Sequence, residues 1–330
     1  MTTEIASEDH MTQSFDGFLL AYFQNGNDAD SEQVRFAVTT GREPDEWTAI
    51  GGGEPVLVSD VGEGGVRDPF IARDPRTDSF VLIATDLRTY PDSDWARAVR
   101  RGSRSIVVWT SDDLVSWTPP RLAEIAPETA GNAWAPKAFW SDDREVWLVI
   151  FAATLYPEGS DRAAQEHQRL LVTETRDFEH FTAARSYLDP GHDIIDATFL
   201  EWDGEILRFT ADSLTDDPET RSAFVSQERG GGLLSPDFRL VARELGSGTQ
   251  ARAEGPAVFT ALDGQAAFLL LDEFEFRGYQ LYRSTAPRDG AWQHQPAARL
   301  PEGARHGSVI PITARERERL LSLGEGGVMR

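Results

Sequence analysis

One unit of polar turns and apolar runs recurs along the chain. It begins at a polar residue next to Pro or Gly, continues as a short apolar strand, turns through Asp and Gly, and returns as a strongly apolar strand. The first copy, from Arg67 to Asp86, reads RDPFIA, RDPRTD and SFVLIATD. Later copies read WAPKAFW with EVWLVIFAAT, IDATFLE with ILRFTAD, and EGPAVFT with QAAFLLLDEF. Asp-Gly turns at Asp203 and Asp263 are strong hairpin signals, so each unit is predicted to be antiparallel.

The two ends of the chain carry complementary parts of a fifth unit. In each complete unit a further strand follows and ends in a polar turn closed by an aromatic residue, as in SIVVWTSDDLVSW. The N-terminal QVRFAVTTGREPDEW has this shape without a leading strand, and the C-terminal ARHGSVIPIT is a leading strand with nothing after it. The repeat starts are spaced by 66, 62, 58 and 52 residues and lie at Asp68, Trp134, Asp196, Glu254 and His306.

This pattern predicts an all-β fold, a five-bladed β-propeller closed by strands from both termini. Closure of this kind removes the exposed strand edges that an open array of sheets would leave. A β-sandwich or a jelly roll is the alternative, because strands assigned from one sequence do not by themselves distinguish blades from stacked sheets. We expect residues 1–14 to form a flexible N-terminal tail and residues 15–330 a single propeller domain. ARERERLL, from Ala314 to Leu321, is expected to be a short terminal helix.

Composition and charge narrow the classes of partner. Of the 330 residues 40% are hydrophobic, including nine Trp and 18 Phe, which is ample for a packed core. The formal net charge of -23 argues against nucleic acids and anionic membranes as partners, because phosphates are held by clustered Lys and Arg. The sequence has no Cys, which excludes disulfides but is compatible with either redox compartment. It has no secretory signal pattern and no apolar run that approaches the ~18 residues of a membrane span. We therefore expect a cytoplasmic protein, whose oligomeric state the sequence does not reveal.

Acidic residues stand at several of the repeat starts. In a propeller the innermost strands line a central channel, so Asp68, Asp196 and Glu254 are expected to converge there, together with His306, Arg67 and Trp134. Converging carboxylates repel one another, and burial further disfavours their charged forms, so at least one pKa should rise while another group stays ionised. Glycoside hydrolysis requires such a pair, one carboxyl to protonate the leaving oxygen and one carboxylate to activate water or to attack. Taken singly, each acid is better explained as a turn former or a backbone cap, and it is the presence of three acids in register across the repeats that favours catalysis.

The ordered motifs RDPF, WAP, IIDATF, AEGP and RHGSV resemble those of glycoside hydrolase family 43, over nearly the whole chain from about Gly17 to Thr313. The resemblance implies a five-bladed propeller that hydrolyses terminal or internal sugars with inversion at the anomeric carbon. It implies that Asp68 is the general base, that Asp196 orients the acid and tunes its pKa, and that Glu254 is the general acid. Inversion would place the carboxyls of Asp68 and Glu254 ~6.5 to 9.5 Å apart.

The same resemblance implies further substrate-binding residues. Trp134 would offer an apolar wall to the sugar, the alternative being a core Trp between blades. Arg208 in LRFTAD resembles an arginine near the auxiliary aspartate, the alternative being a structural ion pair. Apart from the resemblance, Arg67 beside Asp68 is a candidate sugar ligand because of its place at a repeat start. So is Trp95 in the insert from Arg88 to Arg104, which could instead pack on its own loop.

His306 matches a histidine that in several relatives contacts a central calcium or water cluster. A calcium here would be mostly hydrated, because calcium prefers oxygen ligands. The alternative is a histidine that is hydrogen-bonded in the channel without a metal, and no cofactor is expected to be required. Two positions depart from the family pattern, Lys137 where an acidic residue is frequent and Ala197 where Pro is frequent. They suggest a different substrate rim with the catalytic acids retained.

The substrate class follows from the resemblance and the expected compartment. We expect a small oligosaccharide substrate and exo-action on a terminal pentose, with α-L-arabinofuranosidase as the first hypothesis. β-Xylosidase, exo-galactanase and a non-catalytic glycan-binding propeller are the alternatives. Two long inserts, Arg88 to Arg104 and Leu155 to Arg169, are expected to form the pocket wall.

Overall fold

A computed structural model describes residues 14–25, 28, 30–211 and 224–324. Within these ranges the chain forms twenty strands, two α-helices and two short 3₁₀ helices, Ile50–Gly53 and Pro287–Asp289. The strands are β1 (Phe15–Gln24), β2 (Arg35–Thr39), β3 (Trp47–Ala49), β4 (Val66–Arg73), β5 (Phe80–Asp86), β6 (Ser105–Ser111), β7 (Arg121–Glu124), β8 (Trp134–Ser141), β9 (Val146–Thr154), β10 (Gln168–Thr175), β11 (Arg185–Leu188), β12 (Ile195–Trp202), β13 (Glu205–Ala211), β14 (Val225–Gly230), β15 (Arg239–Leu245), β16 (Glu254–Thr260), β17 (Ala267–Glu273), β18 (Gly278–Ser284), β19 (Gln293–His294) and β20 (Ala304–Thr313). The helices are α1 (Trp95–Arg101) and α2 (Ala314–Leu321).

The strands form five antiparallel sheets of four strands each, the blades of a propeller. Blades 1 to 4 are consecutive in sequence and consist of β4 to β7, β8 to β11, β12 to β15 and β16 to β19. Blade 5 has the order β20, β1, β2, β3, so its inner strand comes from the C-terminus and its outer strands from the N-terminus. The five-bladed propeller closed by both termini is thus confirmed, and the sandwich and jelly-roll alternatives are wrong. The expected tail lies outside the described residues except for Ser14.

The core lies between neighbouring blades. Each blade packs both of its faces against other blades. The second strands β5, β9 and β17 are therefore buried along their whole length, and their apolar runs are continuous instead of alternating. Each Val, Leu or Ile fully buried in this way contributes about 1.5–3 kcal/mol. This packing explains why the second strands are the most apolar segments of the repeat.

Every inner strand carries a bulge near its start. Pairing with the second strand is interrupted there, and one residue adopts a positive φ. These residues are Asp68, Ala135, Asp196, Gly255 and His306. A left-handed conformation costs a residue with a Cβ about 1–2 kcal/mol, and such strain clusters at functional sites. Prolines follow three of the five positions because a bulge leaves no ladder partner for their missing N–H.

The bulges show that the repeat starts found in the sequence occupy two successive structural positions. Asp68, Asp196 and His306 are bulge residues, whereas Glu254 and Trp134 stand one residue earlier, where blades 1 and 5 have Arg67 and Arg305. Both positions face the channel mouth, so the offset does not separate the acids.

Helix α2 spans Ala314–Leu321, as predicted. Thr313 caps it in a capping box with Glu316, whose carboxylate also binds the guanidinium of Arg73 on the inner strand of blade 1. In the described part of the chain no helix is long and apolar enough to cross a membrane.

Candidate active site

A cavity of about 380 Å³ opens where the inner strands begin. Its walls come from the bulge regions and from the loops that join second to third strands. The lining residues are Asn25, Arg67, Asp68, Leu87, Trp95, Val99, Trp134, Ile195, Asp196, Glu254, Phe274, Glu275, Arg305 and His306. The three acids predicted from sequence therefore meet at one site, together with His306, Arg67, Trp95 and Trp134.

Asp68 is held as a carboxylate on the inner strand of blade 1. Its Oδ2 accepts a hydrogen bond from Thr85 Oγ1 at 2.7 Å, and its Oδ1 lies 3.1 Å from His306 Nδ1. The same Thr85 hydroxyl accepts from the backbone N–H of Ala135 on blade 2. Burial favours the neutral acid, but the hydrogen bond and charge of His306 and the charge of Arg67 outweigh it, so the pKa of Asp68 lies below its usual value.

Asp196 is the acid with the raised pKa. Its Oδ2 accepts a hydrogen bond from the backbone N–H of Gly255 at 3.1 Å and lies 3.8 Å from His306 Nδ1. Burial, together with the negative charges of Glu254 and Asp68, raises the pKa of Asp196 to about 6 against the opposing charge of His306. The sequence predicts that one of the converging carboxyl groups has a raised pKa while another stays ionised. In the structure Asp196 is the group with the raised pKa, and Asp68 is the group that stays ionised.

Glu254 is the first residue of β16 and faces Asp68 across the imidazole ring. Its Oε1 accepts from Arg305 Nη2 at 2.9 Å and lies 2.9 Å from His306 Nε2. Because the ring contacts Asp68 through one nitrogen and Glu254 through the other, the two contacting oxygens are at most about 8 Å apart, the width of the ring plus two hydrogen bonds. This upper limit allows the ~6.5 to 9.5 Å separation of an inverting pair.

His306 lies at the centre of the acidic cluster. Burial disfavours its charged form, but the charges of Asp196 and Glu254 and the hydrogen bonds with Asp272 and Asp68 outweigh burial, and the pKa of His306 is raised well above 6.5. The ring is therefore an imidazolium that donates from both nitrogens. A single side chain fixes the relative positions of the carboxylates.

Two groups of this cluster escaped the sequence reasoning, Arg305 and Asp272. Asp272 is fully buried on β17, and its Oδ2 lies 2.7 Å from Arg305 Nε and 3.2 Å from His306 Nε2. These contacts and the charge of Arg305 lower the pKa of Asp272 although burial opposes them. The available signal was strand pairing, since Asp272 stands directly opposite Glu254 in the hairpin of β16 and β17.

Arg67 and two tryptophans form one side of the cavity. The guanidinium of Arg67 binds Glu32 at 2.7 Å and lies 4.6 Å from the Phe23 ring and 5.2 Å from the Trp95 ring. Trp95 meets Trp134 edge to face at 6.1 Å. Trp95 thus packs on neighbouring cavity residues and not only on its own loop.

The two inserts have different positions. Arg88 to Arg104 contains α1 and contributes Trp95 and Val99 to the cavity. The expectation for Leu155 to Arg169 was wrong, because no residue of that insert lines the cavity. Arg162 instead donates to the carbonyl of Arg100, so the second insert supports the first from behind.

Arg208 lies outside the cavity. It is on β13, the second strand of blade 3, where its guanidinium binds Glu228 Oε2 at 2.7 and 2.9 Å and lies 4.0 Å from the Phe238 ring. The side chain is turned into the blade, so its contacts are those of the alternative interpretation, a structural ion pair.

Lys137, one of the departures from the family pattern, is not at the rim. It is buried at 4% exposure on β8, and its ammonium lies 5.5 Å from the Phe70 ring. Burial lowers the pKa of Lys137, while the charges of Asp68 and Asp196 oppose that shift. Ala197 is likewise buried, so neither departure changes the cavity wall.

The donor set at His306 does not fit a calcium ion bound to this histidine. Ligand atoms of Asp196, Glu254 and His306 lie within 4.8 Å of one another. Calcium, however, takes six to eight oxygen ligands, and here both ring nitrogens face carboxylates while Arg305 Nη2 stands 3.4 Å from Nε2. An imidazolium and a guanidinium already supply the positive charge that the carboxylates require.

Known proteins match this chain at the level of a family profile and of one relative. The profile of a family described as "Probable glycosyl hydrolase domain", related to glycoside hydrolase family 43, matches residues 13–318. An α-L-arabinofuranosidase of Bifidobacterium longum subsp. longum is 32% identical over 171 residues, which are 48% of this chain. The match spans only 16% of the length of that relative.

Solved structures share the fold. A thermostable family-43 glycoside hydrolase superposes with a TM-score of 0.52 at 16% identity, covering 74% of this chain and 78% of its own. An α-L-arabinanase of Penicillium chrysogenum, complexed with arabinobiose, gives 0.56 at 16% identity, covering 88% and 80%. With a family profile that covers most of its length, a five-bladed propeller and the predicted motifs in place, the chain belongs to the glycosyl hydrolases related to glycoside hydrolase family 43.

Proposed function

We propose that this protein is an inverting exo-glycosidase that releases a terminal α-L-arabinofuranosyl residue from small oligosaccharides. The observation that carries this proposal is the pair Asp68 and Glu254, which face one cavity from opposite sides of the His306 ring. Both carboxyls are buried where water is limited, which strengthens their interaction with charge that develops on the sugar.

Asp68 acts as the general base. Thr85 and His306 hold it ionised, so it accepts the proton of a water molecule as the water oxygen bonds to the anomeric carbon. The lowered pKa of Asp68 keeps it ionised, as a group that accepts a proton must be. A water between Asp68 and the sugar attacks opposite the leaving oxygen, and this gives inversion.

Glu254 acts as the general acid. Its Oε1 accepts hydrogen bonds from Arg305 and His306, which fix the carboxyl group at the cavity, and this carboxyl is proposed to supply the proton for the glycosidic oxygen. As the bond from the anomeric carbon to that oxygen breaks, the proton passes to the leaving alcohol and Glu254 becomes a carboxylate. Both proton transfers are performed by side chains, and the proposal requires no cofactor.

Asp196 positions the acid. It binds the N–H of Gly255, the residue after Glu254, so a side chain of blade 3 fixes the backbone that carries the acid on blade 4. With a pKa of about 6 it also changes the charge beside Glu254 as the pH passes through about 6.

The sugar preference is supported by the relative and by the size of the site. The matching segment of Bifidobacterium longum belongs to an α-L-arabinofuranosidase. The cavity of about 380 Å³ is near the lower end of small-molecule sites, which suits a terminal sugar and favours exo-action. Arg67, Trp95 and Trp134 are the proposed contacts to that sugar.

A panel of 4-nitrophenyl glycosides tests this proposal. The expected result is that kcat/KM for the α-L-arabinofuranoside exceeds that for the β-D-xylopyranoside and the β-D-galactopyranoside by about tenfold or more. Faster cleavage of either of the other two would overturn the arabinose assignment. No turnover of any of them would overturn the catalytic assignment in favour of a glycan-binding propeller.

A further inference from the structure

A short hairpin borders the cavity on the side of the proposed acid. It joins β17 to β18 through Phe274, Glu275, Phe276 and Arg277. Glu254 pairs with Asp272, so the hairpin begins two residues beyond that pair, at the same end of blade 4 as the acid. Phe274 and Glu275 line the cavity.

The hairpin carries an exposed aromatic surface. Among the described residues Phe276 is the most exposed large apolar side chain, at 62%. The guanidinium of Arg252 lies 4.7 Å from the Phe274 ring and 5.4 Å from the Phe276 ring, and it binds Glu275 Oε2 at 2.6 Å. We call these four side chains, Arg252, Phe274, Glu275 and Phe276, the rim platform.

The rim platform has the chemistry of a sugar site. Pyranose and furanose rings present C–H faces that pack on aromatic rings, and their hydroxyls bind carboxylates and guanidinium groups. Arg252 fixes both aromatic rings, so less side-chain freedom is lost when a ligand binds.

Position identifies which sugar would bind. The acid protonates the leaving oxygen, so the leaving part of the substrate lies on the Glu254 side of the cavity. The corresponding connection has 18 residues in blade 1 and 13 in blade 2, but only four in blade 4. Relative to those two blades the wall is low at the rim platform, and an attached chain can leave there.

We propose that the rim platform binds the sugar residue on the leaving-group side of the scissile bond, and thereby selects oligosaccharides over simple glycosides. This inference rests on the proposed function. It adds a specificity surface outside the catalytic cluster, with Phe276 as its main contact and Arg252 as the side chain that orders it.

Oligosaccharide binding and turnover test the inference separately. In the intact chain carrying Glu254→Gln, which slows turnover of the oligosaccharide, calorimetry with an α-linked arabino-oligosaccharide should show that adding Phe276→Ala weakens binding about three- to tenfold. With Glu254 intact, Phe276→Ala should lower kcat/KM for that oligosaccharide by the same factor and leave kcat/KM for methyl α-L-arabinofuranoside, whose leaving group has no ring to contact Phe276, within about twofold of the unmodified chain.

Leu240→Ala is the matched control, because it removes an exposed apolar side chain from the outer strand β15. Equal oligosaccharide affinity in the Phe276→Ala and Leu240→Ala chains would overturn the rim platform whatever the activity. If the unmodified chain cleaves no arabinoside, the proposed function fails by itself. The platform is then supported if Phe276→Ala still weakens binding of an arabino-, xylo- or galacto-oligosaccharide, and overturned if it weakens none.

Discussion

Asp196 on blade 3 accepts a hydrogen bond at 3.1 Å from the backbone N–H of Gly255 on blade 4. Gly255 follows Glu254, so the contact ties the proposed acid to a neighbouring blade. The same carboxyl has a pKa of about 6, raised by burial and by the charges of Glu254 and Asp68. Asp196 therefore both holds the backbone next to the proposed acid and carries a group that titrates near pH 6.

The raised pKa of Asp196 predicts a pH-dependent stability. The folded protein holds this proton more tightly than the unfolded chain does, so the stabilisation is complete below about pH 4 and is lost as pH rises through about 6. Asp196→Asn removes this titration but keeps an oxygen for Gly255. The free energy of unfolding of the variant, relative to wild type, should therefore rise by up to about 3 kcal/mol between pH 4 and pH 7.

Urea unfolding at a series of pH values measures this difference. Asp193→Asn, which lies outside the cluster and changes a carboxylate to an amide in the same way, is the control. A difference between Asp196→Asn and wild type that stays constant with pH would contradict the assignment of the raised pKa to Asp196.

Leaving-group dependence separates the two catalytic roles. Glu254→Gln should slow hydrolysis of an oligosaccharide by about 10²–10⁴, because the sugar alcohol needs a proton to leave. The same variant should lose much less of its rate of hydrolysis on a 4-nitrophenyl glycoside, because the nitrophenolate leaves without needing a proton. Asp68→Asn should lower the rate of hydrolysis of both substrates by about 10²–10⁴, since both reactions need an activated water. Equal losses for Glu254→Gln on the two substrates, with the circular dichroism unchanged, would rule out its acid role.

Gly255 is predicted to be irreplaceable for a steric reason. A Cβ at this position would lie 2.4 Å from Cδ2 of His306, and φ is +53°. Gly264, at φ +70° in a turn, has no atom within 4 Å of such a Cβ. Both Gly→Ala changes should cost about 1–2 kcal/mol of stability from backbone strain. Only Gly255→Ala should also lower kcat/KM, by about 10² or more, because His306 must move. Matching kinetics for the two variants would show that the position of His306 does not matter.

Arg208 is predicted to be structural. The Arg208 side chain is 6% exposed, and its guanidinium binds the carboxylate of Glu228. Arg208→Met therefore leaves the partly buried Glu228 carboxylate without its charged partner. Thermal unfolding should show a loss of about 1–3 kcal/mol, whereas kcat/KM should stay within about twofold of wild type. Arg104→Met, at a more exposed pair with Glu124, should change stability by less than about 1 kcal/mol. A loss of activity in Arg208→Met without a loss of stability would restore its role in the site.

The repeat made most of the fold predictable. Incomplete units at both ends indicated ring closure, and equivalent positions in the units indicated that Asp68, Asp196 and His306 converge. The offset of Glu254 was not visible, because the positive φ of the bulge falls on Gly255 and no residue pattern marks it. Only the structure shows whether a blade places its acidic residue at the bulge or one residue before it.

The sequence was least informative about which side chains of the second strands reach the acidic cluster. Asp272 reaches the cluster and Arg208 does not, although both lie in apolar runs opposite an inner strand. The difference depends on distance along the strand. Asp272 pairs with Glu254 before the bulge, whereas Arg208 pairs with Phe199, three residues after Asp196. Strand register of this kind follows from packing between blades, not from local sequence.

The anomer first released is the most direct measurement of the roles of Asp68 and Glu254. Proton NMR of 4-nitrophenyl α-L-arabinofuranoside during the first minutes of hydrolysis, before mutarotation, distinguishes the two anomers of the free sugar. Attack by a water activated by Asp68, opposite the oxygen protonated by Glu254, predicts that β-L-arabinofuranose is released first. Initial release of the α anomer would mean that a carboxylate attacks the sugar directly, and would contradict the assignment of these two residues as base and acid of an inverting enzyme.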